Sequence, residues 1–123
     1  ERILYHGTKA DVCDIINADG FNRSYSGANA TMYGEGTYFA VNASYSASDT
    51  YSQPEQGSQK KMMYRAKVLT GDYCKGQEGF KEPPLKDPKG RERYDSVVDR
   101  DNPTMYVVFQ DNQAYPEYLI VLK

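Results

Sequence analysis

Gly34-Glu35-Gly36-Thr37-Tyr38-Phe39-Ala40 is the stretch on which the reading of the fold turns. Its two glycines suggest the opening of a dinucleotide loop, G-x-G-x-x-G. The pattern fails at Phe39, where the third glycine should stand, and no strand-loop-helix unit surrounds it. A Rossmann mode of nucleotide binding is therefore excluded. What remains is Thr37-Tyr38-Phe39-Ala40, a very short strand, after a loop over 22–36 rich in Gly, Ser, Asn and Ala.

Working towards the start, Arg2-Ile3-Leu4-Tyr5-His6 is a short apolar run and reads as a strand. Thr8 is a plausible helix N-cap. Val12, Ile15 and Ile16 then fall on one helical face, and Gly20 is a good stop. Working towards the end, Asn42 or Ser44 caps a second helix over about 43–51. The longest β-like run is 62–70, ending at Gly71. Residues 75–93 hold most of the Pro, Gly and Lys and read as a long surface loop, of the kind that tends to be functional or mobile. Short strands follow at 94–98, 105–109 and 115–122, with Asp101-Asn102-Pro103 as a turn and Pro116 confined to the start of the last strand. The sum is a small mixed α+β domain of two short helices and five or six strands, with mostly meander-like strand contacts.

At 123 residues the chain is one domain or a piece of one. Twelve residues are Tyr and none is Trp. With Tyr set aside and Gly counted, the apolar share is about 37%, below the roughly 45–50% of ordinary soluble domains. Tyr must fill core, line a pocket, or both. The 15 basic and 17 acidic residues are well mixed and give a net charge of −2, no electrostatic footprint for nucleic acid. No apolar run approaches the roughly 18–20 residues of a membrane-spanning helix, and no signal peptide is read, so no membrane partner is expected. Cys13 and Cys74 cannot make a disulfide framework; one bridge between them is open, and free thiols in an intracellular protein, in cytoplasm or nucleus, are the simpler reading. His6 is the only histidine, so no His-based metal site is expected.

Five tyrosines lie between Tyr25 and Tyr51. Such a cluster suits a planar aromatic ligand, since Tyr offers a stacking face and a hydroxyl; from composition alone the simpler reading is a core short of aliphatic side chains. His6-Gly7-Thr8 sits at a strand-to-helix junction. Its glycine lets a ligand approach the backbone, while the bland alternative is a turn with a bonded His and a capping Thr. Glu117 is the most local carboxylate candidate, and reads more simply as a solvated strand position. The mixed charges of 81–101 read as an exposed loop.

In their order, His6-Gly7-Thr8, Gly34 to Ala40, Tyr45-Ser46-Ala47 and Tyr51 resemble the catalytic domain of the PARP-like, diphtheria-toxin-type ADP-ribosyltransferases. Asn22-Arg23-Ser24 and the closing run from Asp111 to Ile120 resemble the macrodomain-associated branch that transfers single ADP-ribose units. The resemblance covers essentially the whole chain, and least specifically the loop 75–93. It implies a split, mixed or antiparallel sheet and an NAD+ site without metal. It also implies that further elements precede Glu1, making this the C-terminal part of a larger protein.

Position by position, the resemblance implies that the backbone of Gly7 and the hydroxyl of Ser46 hold the nicotinamide carboxamide. Tyr51 would stack on the nicotinamide ring with Tyr38 opposite, and His6 and Thr8 would bond the adenosine ribose. The loop 22–33 would close over NAD+, with Asn22 or Arg23 near its adenosine or phosphate end. The catalytic motif would be His6, Tyr38 and a third residue that falls on Met105. Chain-elongating members carry Glu there. A thioether accepts only weakly and cannot act as a base. The expected reaction is mono-ADP-ribosylation of a protein acceptor or of the protein itself, with a nucleic-acid acceptor also open. The alternative is an NAD+- or ADP-ribose-binding module without turnover.

Overall fold

The computed structural model describes residues 1–21, 32–46, 52, 54, 57 and 60–122. The first strand, β1 (Arg2–Thr8), runs two residues beyond its apolar stretch because β3 (Lys61–Val68) pairs with it along its whole length, from Arg2↔Val68 to Thr8↔Met62. That ladder claims Thr8, which is a buried strand residue and not the expected helix cap. Lys9 takes the capping position of helix α1 (Ala10–Asp19), with no side-chain bond to the helix. The helix turns Cys13 and Ile16 into the core and ends at Gly20, whose N–H bonds the Ile16 carbonyl at 2.8 Å. Gly20 has φ 76° and ψ −169°, a region essentially restricted to glycine.

Strand β2 (Thr37–Ala40) lies where the sequence predicts it, and α2 (Ala43–Ser46) starts directly after Asn42. The remainder of the expected second helix, 47–51, lies outside the described residues. The later strands are β4 (Tyr73–Lys75), β5 (Ser96–Val98), β6 (Met105–Val108) and β7 (Ala114–Leu122), the last preceded by a 3-10 turn at Asp111–Gln113. Seven strands form one mixed sheet in the order β4-β5-β6-β2-β1-β3-β7. The extra strand relative to the sequence reading is β4. It has only three residues, too few to show a period, and it pairs parallel with β5. Three pairings, β2 with β6, β1 with β3 and β3 with β7, join strands distant in sequence, and β4 with β5 is parallel, so the meander expectation covers only β1 with β2 and β5 with β6.

Pro116 is inside β7 rather than at its start. Its missing N–H is tolerated because β7 is an edge strand and the register slips there: Arg65 faces Tyr118 while Ala66 faces Pro116, leaving Glu117 as the extra residue of a bulge. Glu117 pairs with Lys67 at 3.1 Å, a structural role at the sheet edge.

The sheet folds back on itself. Ser96 Oγ donates to the Thr70 carbonyl at 2.8 Å. Ser96 opens β5 and Thr70 follows β3, four strand spacings away in sheet order, about 19 Å if the sheet were flat. The closure is possible because β1 and β2 share a single register pair, Tyr5↔Ala40, at which the sheet bends into two lobes. Between the lobes lies the main core, with Leu4, Tyr64, Ala66 and Val68 from one and Phe39, Val98, Tyr106 and Val108 from the other. Tyr64 and Tyr106 are fully buried, so part of the tyrosine excess replaces aliphatic core. Tyr64 Oη donates to Asn17 Oδ1 at 2.6 Å, with the Cys13 carbonyl also at 3.1 Å, and so ties α1 to the sheet. On the other face of β5 and β6, Val97, Val107 and Phe109 gather Tyr33, Tyr38, Cys74 and Phe80. Cys13 and Cys74 form no disulfide.

Candidate active site

The site lies where β1 and β2 part. Beyond the Tyr5↔Ala40 rung, His6 and Gly7 keep register partners on β3, Tyr64 and Met63, but have none on β2. A side chain crosses the gap instead: His6 Nδ1 is 2.8 Å from the Tyr38 carbonyl oxygen. A carbonyl only accepts, so Nδ1 carries the proton. Burial lowers the His6 pKa below its ordinary 6.5, against the opposing pull of the bond to Tyr38. The ring is therefore neutral near pH 7, with Nε2 presenting a bare lone pair. Phe21 and Phe39 hold its orientation, with centroids 5.2 and 5.4 Å away.

Tyr38 projects to the opposite face of β2 from Phe39. Its hydroxyl accepts the Tyr33 N–H at 2.9 Å and donates to the Gly34 carbonyl at 2.8 Å. Burial raises its pKa, so the phenol keeps the proton it donates. The Gly34-Glu35-Gly36 glycines serve packing here. A Cβ on Gly36 would lie 2.4 Å from the Val108 carbonyl oxygen, so only glycine lets the chain approach β6 this closely.

Ser46 is buried at the end of α2, which packs against β1 and β2, and its carbonyl accepts the Ser52 hydroxyl. Thr8 is buried on the same side of β1 as His6, two residues on. Met105 opens β6 opposite Ala40, while Val107 faces Tyr38. Met105 and Tyr38 thus share one face as diagonal neighbours, about 7–8 Å apart for such positions. Asn22, Arg23 and Tyr51, and the side chain of Tyr45, lie outside what is described. Among the described residues no group of three or more His, Cys, Asp and Glu is placed to hold a metal ion.

Asp99, which anchors the start of β6 where Met105 stands, is not legible in the sequence as a buried residue. It falls in the charged stretch 81–101 that reads as an exposed loop, yet it is only 4% exposed. Its carboxylate accepts the Thr104 N–H at 2.9 Å, the Thr104 hydroxyl and the Met105 N–H at 3.1 Å, with Arg100 Nε at 3.2 Å. Burial by itself would raise its pKa; the Thr104 and Met105 hydrogen bonds outweigh that and hold it below 3.8. The available signal was position: an Asp directly after Val97-Val98, just before a turn that leads into the next strand.

The family description "Poly(ADP-ribose) polymerase catalytic domain" matches residues 1–123. The chain is 50% identical over 125 residues to human protein mono-ADP-ribosyltransferase PARP14, covering 100% of this chain and 7% of that protein. It is 48% identical over 124 residues to mouse protein mono-ADP-ribosyltransferase PARP10, covering 100% of this chain and 13% of that protein. To mouse protein mono-ADP-ribosyltransferase PARP12 it is 42% identical over 125 residues, with 98% and 16% covered. The chain thus spans less than a fifth of the length of these three relatives. Its seven-stranded mixed sheet and its match along every residue lead to one conclusion: the chain belongs to the poly(ADP-ribose) polymerase catalytic domain family.

Proposed function

We propose that this domain transfers a single ADP-ribose unit from NAD+ to an acceptor side chain and releases nicotinamide. The observation that carries the reading is Met105. It stands on the Tyr38 face of β6 without a carboxylate, and relatives matched over the whole chain are named mono-ADP-ribosyltransferases. In this reading Gly7 offers its backbone to the carboxamide at the edge where β1 leaves β2, and Ser46 adds its hydroxyl. Tyr38 and Tyr51 flank the nicotinamide ring. The neutral His6 accepts a ribose hydroxyl at Nε2, beside Thr8. Asn22 and Arg23 meet the adenosine or phosphate end.

The acceptor oxygen forms a bond to C1″ as the glycosidic C–N bond breaks. The bonding pair leaves with the ring nitrogen, turning the cationic pyridinium into neutral nicotinamide. A carboxylate acceptor is already nucleophilic and requires no base. Orientation of the leaving group and fixed hydrogen bonds then supply the acceleration. With no carboxylate at the third position, turnover is slow. The acceptor is a protein or the enzyme itself, and two cysteines that form no disulfide suit an intracellular setting.

Incubation with labelled NAD+ followed by gel separation tests this. Discrete label of one unit per site, lost in His6→Ala and Tyr38→Ala, is the expected result. Nicotinamide-competitive NAD+ binding with no label transferred would replace this reading with that of a binding module. A polymer smear would contradict the role given to Met105.

A further inference from the structure

The loop after β4 matches the family motifs least, yet it grips the turn that holds Tyr38. The Tyr38 hydroxyl uses its proton and one lone pair on the same peptide turn, Tyr33–Gly34. That turn is held from behind. The Glu35 N–H bonds the Phe80 carbonyl at 2.7 Å, and the Phe109 ring packs against Gly34. Gly76 lies beneath Tyr33: a Cβ there would fall 2.2 Å from the Tyr33 carbonyl oxygen and 2.9 Å from its Cβ. Gly76 is itself fixed to the sheet through its N–H to the Val98 carbonyl, 2.9 Å. Gly76 has no positive φ, so the close approach, not the backbone conformation, is what requires glycine. The contacts form one line: β5, Gly76, Tyr33–Gly34, the Tyr38 phenol.

We propose that Gly76 and Phe80 are positioning residues that set the Tyr38 ring in the nicotinamide slot through the Tyr33–Gly34 turn. This rests on the assignment of Tyr38 to that slot. Gly76 touches no substrate in this proposal; it acts only through the hydroxyl latch. Gly76→Ala pushes Tyr33 away and breaks the latch from one side. Tyr38→Phe keeps the ring and removes the latch from the other.

The test is a double-mutant cycle in the protein, read as the dissociation constant for benzamide, a nicotinamide mimic, and as KM for NAD+ against kcat. Each single variant is expected to weaken benzamide binding about three- to tenfold, the scale of one lost hydrogen bond. The combined variant is expected to be no weaker than the worse single, with KM moving more than kcat. Multiplying losses would show that Gly76 acts on the fold at large and would overturn the proposal, as would undiminished binding in Gly76→Ala. If Gly76→Ala does not fold, Phe80→Ala replaces it in the same cycle: it keeps the carbonyl but removes the ring that packs on Val97, Val107 and Phe109 and so holds that carbonyl against Glu35, with the same expected non-additivity and the same overturning result. Wild-type protein that binds no benzamide would instead sink the slot assignment, and the proposal with it.

Discussion

His6 and Tyr38 are joined through the backbone, not ring to ring: the imidazole Nδ1–H reaches the Tyr38 carbonyl at 2.8 Å, where β1 and β2 have stopped pairing. The bond fixes the tautomer and leaves Nε2 as an acceptor. Burial of the ring, against the pull of this bond, makes protonation unfavourable.

The His6 pKa lies below 6.5 in the folded protein. Above 6.5 folded and unfolded chains both carry a neutral imidazole, and the stability associated with this group is complete. As pH falls from 6.5 towards the folded pKa, the unfolded state takes up the proton first, so stability is lost. NAD+ binding is expected to be flat from pH 8 to about 6.5 and to weaken only at more acidic pH, when Nε2 gains its proton. Melting temperature against pH, compared with His6→Gln, checks this. A variant that keeps the same slope between pH 5 and 6.5 would remove His6 as its source.

Asp99 gives an acid-side prediction. Its folded pKa is depressed, so its contribution is present above the unfolded value of 3.8 and disappears as pH falls below it. Asp99→Ala leaves the Thr104 and Met105 amides unpaired in a buried place. It is expected to cost about 2–4 kcal/mol by urea unfolding at pH 7. Asp99→Asn should retain part of this and flatten the stability profile below pH 4. An unfolding midpoint equal to wild type in both variants would contradict the role.

Tyr64→Phe separates core from site. It removes one buried hydroxyl bonded to Asn17 and the Cys13 carbonyl and leaves the ring in place. The expected loss is about 1 kcal/mol in denaturant unfolding. Transfer of label should stay within about twofold of wild type, because the ring that packs on Phe21 beside His6 is retained.

Met105→Glu places a carboxylate on the Tyr38 face without reshaping the surface around it. The product is expected to remain a single unit, because elongation also requires an acceptor face that admits a growing chain. Sizing the labelled product on a gel decides the matter; long chains from this one change would overturn it.

What the sequence revealed, it revealed through local pattern. Thr37 to Ala40 and the helix ending at Gly20 follow from propensity and punctuation. Motif order marks His6, Tyr38 and Met105 as candidates, and their strands β1, β2 and β6 lie side by side in the sheet. Long-range pairing was not legible. Thr8 is polar and precedes a helix, so it reads as a cap; only the β3 ladder makes it a strand residue. Tyr73-Cys74-Lys75 carries no period of its own and becomes a strand because β5 lies beside it. Asp99 resembles its exposed charged neighbours until the turn to Thr104 folds over it.

The fold-over sealed by Ser96 and Thr70 has a consequence for the order of events during synthesis. His6 and Tyr38 leave the ribosome before most of this domain, but β2 gains its second neighbour only when β6 emerges, with Val108 opposite Thr37. Pairings this distant in sequence make a nucleus slow to assemble. Within this domain the motif residues therefore wait without a working cleft until β6 has emerged and paired with β2.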